Sequence, residues 1–151
     1  KNGNPNQWGS RTPSEKLLKD DIHEKQLLVI RSENGTFEGA FVLKQTPDPW
    51  YENIDGKWIT DNPYYVIHRC ATMGNIPRLF DAMVEYSFNQ FDEIRIDTHE
   101  DNKAMQNAIL RNGFTYCGII DIPKVGKRLA YSCEKKDYIK SEAFLGRMEN
   151  K

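Results

Sequence analysis

Two strand-like runs bracket a helical one in the middle of this chain, and that order leaves few folds open. "YYVIHRCA" (64–71) and "EIRIDT" (93–98) have the residue types and alternation of strands. Between them, "PRLFDAMVEYSFNQF" (77–91) sets Leu79, Met83 and Tyr86 at helical intervals behind Pro77. A helix joining two strands of one sheet is a crossover, so the pair is expected to be parallel. Ligands of such sheets gather beyond the strand C-termini, where the connections diverge. That places Cys70–Arg78 and Thr98–Asn102 at one mouth.

The flanking segments fill out the sheet. "TPSEKLLKDDIHEKQ" (12–26) reads as a helix, with Thr12 as N-cap, Pro13 in the first turn and Glu15 closing a capping box. "LLVI" (27–30), the turn "ENG" (33–35) and "TFEGAFVLKQ" (36–45) read as a hairpin. "NKAMQNAILRNGF" (102–114) is a helix stopped by Gly113, and "TYCGIIDI" (115–122) with "KRLAYSCE" (127–134) makes a closing hairpin. The prediction is an α/β (α+β) domain over 1–134: a mixed, mostly antiparallel sheet with helices on its faces. Residues 135–151 are a charged, peripheral C-terminal tail. Residues 46–63 form a long loop with three prolines, Trp50, Trp58 and Tyr51. That aromatic content argues for an ordered segment. Its rings form an acceptor-binding lid or a cluster that anchors the loop.

Composition excludes several classes. A net charge of −1 over 151 residues gives no electrostatic footprint for nucleic acid or an anionic membrane surface. No apolar run approaches the roughly 20 residues that span a bilayer. Cys70, Cys117 and Cys133 are too few and scattered for a disulfide framework and sit in apolar surroundings. A cytoplasmic protein is the expectation.

The chemistry concentrates at "DTHEDN" (97–102) and on the central strand. Asp101 or Asn102 is placed to cap the helix that follows. His99, at the strand's C-terminal mouth, suits a base taking a proton from an ammonium, or simply bonds to its loop neighbours. Strict alternation puts His68 on one face with Val66 and Cys70, and Ile67 with Arg69 on the other. His68 is thus a second candidate base or a satisfied core histidine, and Arg69 is expected to pair with Asp97 on the neighbouring strand. His99, Glu100 and Asp101 are adjacent and cannot all converge on one ion, so no metal is expected.

"IDTHEDNKAMQNAILRNGFTYCGII" (96–120) resembles the second half of the GCN5-related N-acetyltransferase (GNAT) superfamily, where a strand ends in a polar cluster, an Asn opens the next helix and a Gly-Phe pair leads into the following strand. "VIHRCAT" (66–72) resembles its central strand, and "PDPWYENIDGKW" (47–58) a small bacterial subgroup. The resemblance spans about residues 1–134 and is most specific over 64–120. It implies a sheet splayed at the central parallel pair, and a chain lacking the strand and helix that usually come first. It further implies acetyl-CoA as co-substrate, a small-molecule or peptide amine as acceptor, and a homodimer as a common assembly. Cys70, Ala71 and Thr72 would line the pantetheine and acetyl carbonyl; Gly74, Asn75, Ile76, Arg78 and Leu79 would hold the pyrophosphate; Asn102 would face the pantetheine arm. His99 and His68 are then the catalytic candidates, and Tyr51 and Trp58 the acceptor-side ones.

Two positions depart from the family pattern. Arg78 and Phe80 stand at its glycine-like pyrophosphate positions, with Gly74 nearby. Ile109 stands where members often carry the tyrosine that protonates the leaving thiolate. These residues are the basis of a second reading, a catalytically degenerate GNAT-fold binding or regulatory module. A third, an unrelated α/β ligand-binding domain, requires the strands at 64–71 and 93–98 to pair continuously.

Overall fold

The structure is a computed structural model and describes residues 26–139 and the backbone of 147–150. The helix expected over 12–26 lies outside the described residues.

Eight strands form one sheet: β1 (Leu27–Arg31), β2 (Phe37–Lys44), β3 (Asp55–Gly56), β4 (Tyr65–Thr72), β5 (Glu93–Thr98), β6 (Thr115–Ile122), β7 (Gly126–Glu134) and β8 (Arg147–Asn150). Their spatial order is β3-β6-β7-β5-β4-β2-β1-β8. Among the described residues, only β4 and β5 pair in parallel; every other neighbour pair is antiparallel. Helix α1 (Leu79–Gln90) is the expected crossover between them, and α2 (Lys103–Arg111) joins β5 to β6.

Both described helices pack on one face, because alternate strand residues supply a continuous apolar surface there. Phe41, Leu43, Ile67, Ile94, Ile96, Tyr131 and Cys133 meet Leu79, Met83, Phe88 and Ile109 in one cluster. Buried Asp81, in the first turn of α1, ties the helices together by accepting from Arg111 Nη2 at 2.6 Å and Asn112 Nδ2 at 3.0 Å. Ile109 is fully buried in this core.

The opposite face is covered by residues 46–63, and their course differs from a simple loop. The segment leaves β2, crosses the sheet, and pairs as β3 with β6 at the far edge before returning to β4. We call it the strap. Its end point requires two glycines: Gly56 and Gly118 face each other at φ +142° and +143°. A Cβ on either would stand 2.1 or 2.2 Å from a carbonyl oxygen of the opposite strand. Under the strap, Tyr51, Val66, Ile120 and Ala130 form a second small core.

A polar row on β5 fastens the strap. Glu93, Arg95 and Asp97 alternate onto its face, and the first two are 2% and 4% exposed. The Arg95 guanidinium lies between Trp58 and Tyr64, 4.3 and 3.9 Å from the ring centroids. Its Nη2 donates to the Thr60 carbonyl at 2.8 Å, and the Thr60 hydroxyl donates to Glu93 at 2.5 Å.

The segment after Glu134 holds more structure than a peripheral tail. Tyr138 stacks on Phe88 with ring centroids 5.0 Å apart, and β8 pairs with β1 as an edge strand. Isolated short strands carry little sequence signal, because their pairing partner is distant.

Replacing Arg95 with Met should destabilise the fold by roughly 3–5 kcal/mol, since Glu93 would stay buried without its cation. Adding Glu93→Gln should recover part of that loss in urea unfolding. Equal loss in single and double variants would show that the charge pair does not anchor the strap.

Candidate active site

β4 and β5 pair only through Tyr65–Ile94, Val66–Arg95 and Ile67–Ile96. Beyond that point β4 runs on to Thr72 beside β2 alone. The cause is a bulge in β4. Its register against β2 slips between Ala40 and Val42, and Arg69 takes a left-handed φ of +51°. A bulge bends its strand and sharpens the local twist, so β4 turns away from β5. The continuous pairing that an unrelated α/β domain requires is absent.

The gap opens a cleft of about 400 Å³. Ile67, His68, Arg69 and Cys70 line it from β4, Ile96 and Asp97 from β5, and Met105 from α2. Ile122, Val125 and Arg128 enter from the β6–β7 hairpin, and Lys44, Asp48, Pro49 and Trp50 from the end of β2 and the strap.

The bulge corrects one expectation. Cys70 does not share a face with His68; it packs against the helix-side core, while Val66 lies in the core under the strap. The extra residue at Arg69 shifts the alternation by one. Burial, and then the nearby Asp97 charge, push the Cys70 thiol up to about 12. It stays a thiol at neutral pH and is no nucleophile.

His68 meets the strap instead. Its Nε2 lies 3.1 Å from Asp48 Oδ2. Asp48 is fixed as the N-cap of the single 3-10 turn Pro49–Tyr51, accepting from the Trp50 amide at 2.9 Å. Burial pushes the Asp48 carboxyl up, but the His68 contact, the Trp50 amide and the charges of His68 and Lys44 together outweigh it. Its pKa lies below the ordinary 3.8, so a carboxylate faces His68.

Asp97 is the second anchor. Tyr51 donates to its Oδ1 at 2.6 Å, and Arg128 Nη2 approaches its Oδ2 at 3.4 Å. The ion pair expected between Arg69 and Asp97 is thus replaced by one with Arg128; Arg69, displaced by the bulge, lines the same cleft. Burial and the Asp97 charge raise the Tyr51 pKa well above 10.0, which keeps it a donor.

Tyr51 and Trp58 do not line the cleft. Tyr51 is buried, and Trp58 donates its indole N–H to the Tyr51 carbonyl at 2.9 Å while its ring covers Arg95. They anchor the loop, and the exposed Trp50 is the strap's aromatic residue at the cleft. His99 is also away from it. The His99 Nδ1 accepts from the Asp101 amide at 3.0 Å, closing the turn that leads into α2. Asn102, rather than Asp101, caps that helix by accepting from the Met105 amide at 3.1 Å.

Ala71 and Thr72 continue β4 past its last pair with β5. In the next turn Gly74 has φ +83° and donates its amide to the Thr72 hydroxyl at 2.8 Å; Asn75 is exposed and Ile76 packs on the core. Arg78, at φ +59°, occupies the N-cap of α1 without a side-chain hydrogen bond to its amides. The Leu79 side chain is buried, so only its backbone can serve a ligand. An uncapped helix start favours an anion.

Asp48 and Arg128 were not among the residues singled out from sequence, whereas Trp50 was, as one of the rings of the long loop. Asp48 carried a findable signal, since Asp before Pro is an N-cap pattern. Arg128 carried none, because its place depends on the pairing of β7 with β5.

Tyr51→Phe should cost about 1–3 kcal/mol near neutral pH by stranding one Asp97 oxygen. The raised Tyr51 pKa also predicts an alkaline effect. Unfolded tyrosine releases its proton near 10.0, whereas folded Tyr51 retains it. Its contribution is therefore complete below that pH and declines as pH rises toward the folded value. Urea midpoints between pH 8 and about 11 should fall less steeply in the Phe variant. Parallel slopes would remove Tyr51 from the alkaline transition.

No protein-family model and no curated protein sequence matches the chain. Among solved structures, it is similar to a GNAT-family acetyltransferase from Streptococcus agalactiae, at 28% identity and a TM-score of 0.73 over 82% of this chain and 73% of that one. A putative acetyltransferase from Staphylococcus aureus is 25% identical with a TM-score of 0.59, covering 82% of this chain and 81% of that one. An aminoglycoside acetyltransferase solved with coenzyme A and kanamycin shares the fold at 20% identity and a TM-score of 0.57, over 82% and 75% of the two chains. The splayed parallel pair and the likeness to these GNAT-family acetyltransferases together support membership of the GNAT superfamily.

Proposed function

We propose that this chain is an N-acetyltransferase that moves the acetyl group of acetyl-CoA to an amine. The observation that carries the reading is the end of β4–β5 pairing after Ile67 and Ile96, beside an uncapped start of α1. The pantetheine would lie against β4 from Cys70 to Thr72, where the strand has no β5 partner. Backbone groups there can polarise the thioester carbonyl. The pyrophosphate would meet the turn from Gly74 to Leu79, with Arg78 supplying charge where the family has small residues.

The acceptor amine would enter from the strap side. As its nitrogen bonds to the acetyl carbon, the C–S bond breaks; the amine gives up a proton and the thiolate takes one. His68 is placed to take the first. With Nε2–H turned to the Asp48 carboxylate, Nδ1 holds the lone pair. His99 is less suited, because its Nδ1 lone pair already accepts from Asp101. Ile109 cannot donate to the thiolate, so the proton comes from water or from another side chain. Aminoglycosides, the acceptors of one structural neighbour, are a weaker match. The two carboxylates among the described lining residues are already engaged, Asp48 by His68 and Asp97 by Tyr51 and Arg128.

Calorimetric titration with acetyl-CoA and with CoA should show saturable binding, and thiol release over an amine panel should follow. His68→Gln should lower kcat/KM by about 10²–10⁴-fold with CoA affinity retained. His99→Ala should remain near the wild-type rate. No CoA binding at millimolar ligand would leave the binding-module reading instead.

A further inference from the structure

Arg128 lines the cleft while only 8% exposed, and its guanidinium is incompletely met. Its Nη2 reaches Asp97 Oδ2 at 3.4 Å, but its buried Nε has no acceptor among the described residues. The reason lies in Asp97. A carboxylate meets an arginine fork with two parallel bonds when its two oxygens face the two donors. Tyr51 holds Oδ1 at 2.6 Å, and its raised pKa keeps that proton in place. Asp97 meets Arg128 through Oδ2 alone, and the buried Nε has no acceptor among the described residues. Arg95 Nε is likewise without an acceptor but lies under the strap, whereas Arg128 lines the cleft, where an acceptor from outside can meet its guanidinium.

The surroundings narrow what that acceptor is. Arg128 shares a strand face with Ala130, which packs under the strap beside Tyr51, so it lies on the strap side of the sheet. Lys44 lines the same cleft and is close enough to act on the Asp48 charge. A planar anion suits a guanidinium that lines a cleft, with Lys44 adding positive charge. His68, the base in the reading above, is on β4, two strands from Arg128, with β5 between them. Paired strands would set their backbones roughly 10 Å apart and the splay beyond Ile67 widens that, so an amine at His68 and an anion at Arg128 are several bonds apart.

We infer that the acceptor is an amine that also carries a carboxylate some bonds away, such as an ω-amino acid or a short peptide, and that Arg128 is its specificity-determining residue. The inference rests on the strap side being the acceptor side of an acetyltransferase.

The test compares matched probes on the intact chain: ω-amino carboxylates from 3-aminopropanoate to 6-aminohexanoate, each against its carboxamide. Binding is read by calorimetry with and without CoA, and turnover by thiol release. At one or more chain lengths the carboxylate should bind at least about tenfold more tightly than its carboxamide. Arg128→Lys, which keeps a cation beside Asp97 but removes the fork, should bring that ratio close to one. Thermal unfolding of the variant verifies that it folds. Ratios near one at every length in the wild type, or a ratio unchanged in Arg128→Lys, overturn the inference. The acetyltransferase reading stands or falls separately, on CoA binding and thiol release measured in the same experiments.

Discussion

The Arg95 guanidinium, held between Trp58 and Tyr64, is the contact on which the rest of this structure depends. A central strand with Glu93, Arg95 and Asp97 on one face would ordinarily be a liability, because each charge leaves water without an apolar gain. Here the strap brings the compensating groups: two aromatic faces and the Thr60 carbonyl for Arg95, the Thr60 hydroxyl for Glu93, and the Tyr51 hydroxyl for Asp97. The dependence runs both ways. The strap has few regular hydrogen bonds of its own and takes its course from these polar anchors and from the close approach of Gly56 to Gly118. By crossing the whole sheet to reach that pair, it carries Asp48 and Trp50 past the one place where the sheet is open.

That opening is also a matter of balance. A bulge with a non-glycine residue in the left-handed region costs on the order of 1–3 kcal/mol, and such strain persists only where the surrounding structure imposes it. Phe41, opposite the bulge on β2, is completely buried in the helix-side core and leaves β4 little freedom to straighten. The strain yields a strand whose outer half has no parallel neighbour. Backbone groups left there without sheet partners need other ones, which is why a splayed pair suits a ligand that presents amide and carbonyl groups of its own.

The elements from 64 to 122 were legible because their cues are local. Alternation marks β5, the Gly113 stop ends α2, and Pro77 with a helical apolar stripe announces α1. The parallel pairing followed from the crossover. What was not legible depends on contacts between distant residues. Cys70 was assigned to the wrong face because nothing within "VIHRCAT" signals a bulge; its cause lies in the packing of β2. The strap read as a loop because β3 is two residues long and pairs with a strand some sixty positions later. His68 was identified, but its orienting partner Asp48 was not, and Arg128 could be placed only once β7 was known to lie beside β5. Polar constellations of this kind are assembled by topology, so a sequence shows their members without their neighbours.

Asp97 shows how stability and chemistry divide within one connected set of side chains. Counting along β5, Glu93 and Arg95 find their partners in the strap and in each other, and neither lines the cleft. Asp97 stands at the transition. One oxygen completes the strap through Tyr51, and the other looks toward Arg128 in the cleft. A third bond to the same carboxylate would have satisfied Arg128 and closed the site electrostatically. Tyr51 fixes the carboxylate through Oδ1, and Arg128 in the cleft meets it through Oδ2 alone, with its Nε unmatched among the described residues. The strap anchor and the cleft cation thus meet on one carboxylate, Tyr51 at Oδ1 and Arg128 at Oδ2.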